Sequence, residues 1–172
     1  MTVNCLVVYS LCWAWLLRWS MEVSGPGYPL MALYSAAWMV LFVAIYRRLA
    51  ARGFLAGMTQ AVAAPVIWLG IEYLRAEIFL GAWPWYLAGM PLVHWPVLAQ
   101  IADLGGVWMV GLLVMTVGAA LGQWMMPHSN DRRPIVSTVV AAAALLVSTG
   151  YGAWRMSRVE GLELGRYLLV QT

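Results

Sequence analysis

The chain has 172 residues, 63% of them hydrophobic and only 10% charged, with a formal net charge of +3. A soluble domain is roughly half apolar and carries far more polar surface, so this composition excludes a water-soluble globular protein. All ten basic residues are arginine. They are scattered between apolar runs rather than gathered on one face, which argues against a nucleic-acid partner.

Crossing a bilayer takes roughly 20 mostly apolar residues as helix, and the sequence predicts five such spans. The first, about 2–19, is apolar from Leu6, carries Trp13, Trp15 and Trp19, and ends near Arg18, which can snorkel to the interface. It lacks the basic start and small-residue cleavage site of a signal peptide. Cys5 and Cys12, the only cysteines, share a helical face. They stand too far apart along the helix for a disulfide and are expected as buried apolar residues. The second span, about 29–46, contains no charge; a Ser24-Gly25-Pro26-Gly27 turn precedes it, and Arg47, Arg48 and Arg52 end it. The third, about 58–79, contains Pro65, which kinks a helix unless neighbours satisfy the freed carbonyl. Glu72, Arg75 and Glu77 lie near its far end.

An aromatic, proline-broken stretch from Gly81 to Tyr86 suits the headgroup layer, and the chain up to Pro96 is expected as an interfacial loop or re-entrant piece. The fourth span, about 97–122, carries Gln100 and Asp103 near its start. Its Gly118 and Gly122 are spaced for close helix contact. A polar turn over 127–134 leads to an uncharged fifth span, about 135–154. The tail is more polar, and Leu168-Leu169-Val170-Gln171 reads as the start of a buried strand. The expected class is thus an all-α polytopic membrane protein over 1–154, with 155–172 leaving it toward an α/β domain.

Orientation follows from the charge of short loops. The turns at 47–53 and 128–133 hold five arginines, while the connections at 20–28 and 76–96 hold none. Both basic turns fall on one side, which should be cytoplasmic. The N-terminus is then cytoplasmic and the C-terminus extracytoplasmic. Arg155, Arg158 and Arg166 pull against this, and a large exported domain after them weakens their vote.

Three constellations could carry chemistry. Trp68, Glu72 and Arg75 line one face of a helix. They could position a lipid headgroup or a loop, or form an ion pair that locks helix packing. Trp83-Pro84-Trp85-Tyr86 could form a lipid-facing rim or an ordinary aromatic belt. Gln100 and Asp103 could bind a cation or amine, or simply favour a helix N-terminus. His94 and His128 show no metal-ligand spacing, and neither a nucleophile–base pair nor a phosphate-binding loop is recognisable, so no metal and no cofactor are expected.

Trp68…Glu72-Tyr73-Leu74-Arg75, Gly81-Ala82-Trp83-Pro84-Trp85 and Gln100-Ile101-Ala102-Asp103-Leu104-Gly105, in that order, resemble the membrane domain of the apolipoprotein N-acyltransferases. Tyr151-Gly152…Arg155 and Val170-Gln171 resemble the family's exit toward an extracytoplasmic nitrilase-like domain. Trp83 stands where the family usually has Phe, and Gly111 and Gly118 where its helix often carries Ser and Asn. The first run resembles the family's third helix.

The resemblance implies residence in the bacterial inner membrane. It also implies transfer of an acyl chain from phospholipid, through a cysteine thiolate, to the N-terminal cysteine amine of a diacylated lipoprotein. The family's Glu-Lys-Cys set belongs to the nitrilase-like domain. This chain has no lysine, and Cys5 and Cys12 are misplaced for a nucleophile, so no catalytic residue carries over. What the resemblance implies for these residues is lipid or substrate positioning by Trp68, Glu72, Arg75, Trp83, Trp85, Gln100 and Asp103. The rival readings are a non-catalytic membrane scaffold or degenerate paralogue, and a small transporter using Glu72, Arg75, Gln100 and Asp103 as its polar path.

Overall fold

The computed structural model describes residues 2–55, 58–79, 84–125 and 133–158, and the regular structure among them is helical throughout. In chain order it runs α1 (Thr2–Leu16), α2 (Gly27–Ala51), α3 (Gln60–Tyr73), the short α4 (Pro96–Ala99), α5 (Ala102–Trp124) and α6 (Arg133–Arg158). The expected strand near 168–171 lies outside the described residues.

Three helices are long and apolar enough to cross a membrane: Gly27–Ala51, Ala102–Trp124 and Pro134–Arg158. The other two expected spans are shorter. α1 stops at Leu16, and the chain tightens into a 3-10 turn over Arg18–Met21. α3 runs through the fully buried Pro65 and widens directly into a π turn, Leu74–Ile78. Many large apolar side chains face outward, among them Leu11, Trp15, Leu121, Leu146 and Val147. In water such a surface would aggregate; against hydrocarbon it is the stable arrangement. Cys12 is on this outer surface rather than buried as expected, and Cys5 is partly covered.

The α2 C-terminus shows why the chain turns where it does. Phe54 N–H donates to Leu49 C=O and Gly53 N–H to Ala50 C=O, each at 3.1 Å, closing the last carbonyls in a Schellman motif. The motif needs a left-handed residue, and Gly53 supplies φ +77°. The expected fourth span is divided. α4 and α5 are separate, and α5 itself breaks at Gly105 and Gly106. Gly106 sits at φ 63°, ψ −158°, a region open essentially to glycine alone.

α3 lies against α5, and α5 against α6, with α1 packed on α2. α3, α5 and α6 meet at Ala61, Ala120 and Ala141, where small side chains let three backbones approach. The close glycine contacts are not those expected. Gly118 and Gly122 face open space, whereas Gly152 on α6 presses on the backbone carbonyl of Val97 in α4. A methyl group at 152 would overlap that carbonyl. Gly152→Ala should therefore destabilise the bundle by about 1–3 kcal/mol. Gly118→Ala should leave the thermal unfolding midpoint in detergent unchanged or raise it. Equal behaviour of the two variants would contradict this packing.

Candidate functional site

The core contains one buried charged pair among the described residues. Glu72 is 1% exposed and Arg75 4%. Both lie where α3 passes into its π turn, three residues apart and on the inner face. Their closest approach, Arg75 Nη2 to Glu72 Oε1, is 3.8 Å. Such a pair survives burial only when other hydrogen bonds satisfy its remaining atoms.

Those hydrogen bonds come from the segment after the aromatic stretch. The Ala88 N–H donates to Glu72 Oε1 at 2.7 Å, and Arg75 Nη1 donates to the Trp85 C=O at 2.9 Å. One carboxyl and one guanidinium thus hold the backbone of residues 85–88. Trp68 stands one turn before Glu72. Its buried indole N–H and the buried Tyr34 hydroxyl have no hydrogen-bond partner among the described residues.

Two glycines make room for this clamp. A Cβ at Gly111 would lie 3.4 Å from Glu72 Oε2, and one at Gly89 would lie 2.7 Å from the Val107 carbonyl oxygen and 2.8 Å from Gly111 N. The 88–89 backbone therefore rests directly on α5, and only glycine at 89 permits that approach.

On its other side the held segment meets α1. Tyr86 takes φ 56°, a left-handed conformation that is uncommon for a bulky residue and costs about 1–3 kcal/mol. Three contacts over-determine it. Trp19 Nε1 donates to its hydroxyl at 2.7 Å, that hydroxyl donates to Leu16 C=O at 3.1 Å, and Trp13 packs edge-on at 5.7 Å. The neighbouring Trp85 stacks on Trp19, centroids 5.4 Å apart, and both rings stay partly open at the surface.

The structure brings Trp68, Glu72, Arg75 and Trp85 into one cluster. Trp83 lies outside the described residues. Gln100 and Asp103 do not join it. Gln100 Nε2 donates to Pro96 C=O within its own turn at 3.3 Å, and Asp103 pairs with Arg155 of α6. Sequence reasoning missed Ala88, Gly89, Tyr34 and the structural part of Gly111. For Gly111 a signal existed, since it departs from the residue type its resemblance leads one to expect there.

Removing the carboxyl would take the acceptor from the partly buried Ala88 N–H and the counter-charge from the buried Arg75 guanidinium. Glu72→Ala should cost about 3–5 kcal/mol of stability. Glu72→Gln, which keeps an acceptor for Ala88, should lose clearly less. Unfolding of both variants in one detergent measures this, and equal losses would mean that Ala88 does not depend on Glu72.

A family model described as the apolipoprotein N-acyltransferase N-terminal domain matches residues 1–120. An apolipoprotein N-acyltransferase of Rhodopirellula baltica is 31% identical over 161 residues, covering 81% of this chain and 28% of the relative. One of Geobacter metallireducens is 28% identical over 138 residues, covering 78% of this chain and 26% of the relative. The chain therefore spans about a quarter of the length of these curated relatives. No solved structure matches it significantly.

Proposed function

The chain belongs to the apolipoprotein N-acyltransferase family through its N-terminal domain, and from that premise we propose that it forms the lipid-handling membrane part of such an acyltransferase. The reaction would move an acyl chain from a phospholipid to the N-terminal cysteine amine of a diacylated lipoprotein. That chemistry needs an activated thiol and a base. These 172 residues contain no lysine, and both cysteines lie in α1. Their part is positioning.

The observation that carries this reading is the grip of Glu72 and Arg75 on the backbone of residues 85–88. Rigid support of an aromatic segment in the headgroup layer is what a site for an amphipathic substrate requires. Trp85 and Trp19 offer it an open, stacked surface. Trp68 packs in the core one turn before Glu72, edge-on against Phe42, and Trp83 extends the same aromatic run in sequence. Gln100 and Asp103 serve at a distance, Gln100 closing its own turn and Asp103 tying the start of α5 to α6. The separation of Asp103 from the Glu72 pair weighs against a single polar path of the transporter kind.

In this reading α1, α2, α3 with its π turn, α5 and α6 are the five spans of a domain over 1–154 in a bacterial inner membrane. Residues 155–172 lead outward to a nitrilase-like domain. Alkaline phosphatase fused after Arg158 should be active, and green fluorescent protein fused after Arg52 should fluoresce. The reverse pattern would invert the topology and remove the reading's footing. The chain reconstituted in phospholipid vesicles with a diacylated lipopeptide should form no triacylated product above a protein-free blank. Turnover would show that these residues hold a catalytic set after all.

A further inference from the structure

Between α5 and α6 runs a groove of about 370 Å³, walled by side chains that include Met109, Leu113, Ala143, Ala144, Ser148 and Tyr151. It shares no lining residue with the Glu72 cluster, and α6 lies outside the residues that the family model matches. Its wall is almost wholly apolar, and its one threonine donates to the Leu112 carbonyl of its own helix at 2.8 Å.

Size, length and charge narrow the occupant. An apolar cavity of about 150 Å³ takes the six carbons of benzene, so this groove takes roughly fifteen carbons, one acyl chain rather than two. On α6, Ala144, Ser148, Tyr151, Arg155 and Arg158 follow at alternating spacings of three and four and share a face. From Ala144 to Arg155 the helix rises about 16 Å, half of the roughly 30 Å hydrocarbon core and so one leaflet. Arg155 bridges to Asp103 just beyond the groove's end, joining its two walls, and Arg158 lies exposed one turn further. Among the described residues, two guanidinium groups stand against one carboxylate there, which leaves that end positive. A leaflet-long apolar slot with a cationic end has the outline of a phospholipid.

We infer that the α5–α6 groove is a binding site for one acyl chain of a phospholipid, whose phosphate meets Arg155 and Arg158. The site does not depend on the acyl-transfer reading, and a permanently bound lipid would satisfy it equally.

The test uses the chain reconstituted in vesicles of phosphatidylethanolamine and phosphatidylglycerol, with a trace of phosphatidylglycerol bearing a diazirine at one acyl terminus. After irradiation, adducts should concentrate on peptides containing Met109, Leu113, Ala144 and Tyr151. Ala144→Phe should abolish them. If that variant does not fold, Met109→Trp fills the same slot from the opposite wall. Arg155→Gln combined with Arg158→Gln should lose severalfold in adducts from the phosphatidylglycerol probe but not from a matching diacylglycerol probe without phosphate. Adducts spread evenly over α1, α2, α5 and α6, adducts indifferent to the filling variants, or crosslinks between two copies at Ala144 in place of lipid would each overturn the inference.

Discussion

A carboxyl group that cannot reach water organises this protein. Glu72 sits among helices whose outer faces are apolar, so its oxygens must find partners from the chain itself. One partner is Arg75, a turn away; the decisive one is the Ala88 amide, 16 residues on. Satisfying that carboxyl draws the loop after the aromatic stretch into the bundle and lays it on α5, where Gly89 and Gly111 allow contact. The partly open Trp85 and the left-handed Tyr86 then take positions against α1 that a free loop would not hold. The polar cluster thus joins α1, α3 and α5 through a segment with little regular structure of its own.

Elsewhere the bundle uses the means expected of helices in lipid, where burying apolar surface from water gives no driving force between them. Alanines meet at the junction of α3, α5 and α6, and Gly152 admits α4 against α6. The Asp103–Arg155 contact adds a polar tie between α5 and α6, but both side chains are about two-fifths exposed and their contribution to stability is modest. The two polar pairs therefore differ in kind. Loss of the first takes an acceptor from a partly buried amide, whereas loss of the second leaves charges that are already partly exposed.

Much of this was legible in the residues. Apolar run length found helix in each of the five stretches, three of them long enough to cross a membrane, and the spacing of Trp68, Glu72 and Arg75 placed them on one face. Family membership was legible from three short blocks. The ion pair of Glu72 with Arg75 was legible too, but the Ala88 partner was not, because every residue but proline carries an amide and nothing in an Ala-Gly dipeptide advertises the one that will be used. The glycine spacing at 118 and 122 misled for a related reason: spacing tells that a backbone can approach, not that anything approaches it. The break inside the fourth span escaped because residue type alone does not show that Gly105 and Gly106 both leave helical torsion angles. Asp103 was singled out for its charge, yet its partner stands 52 residues later, in a part of the sequence read as an exit.

The π turn that ends α3 carries a consequence for how such a chain can vary in length. A π turn holds one residue more than the α turn it replaces. Loss of one residue after Arg75, within 76–78, is absorbed by reversion to α geometry. The same loss between Trp68 and Arg75 would swing everything after it by about 100° about the helix axis. Insertions and deletions among relatives should therefore collect at 76–78 and avoid 68–75, so that the helix keeps a spare link beyond its paired charges.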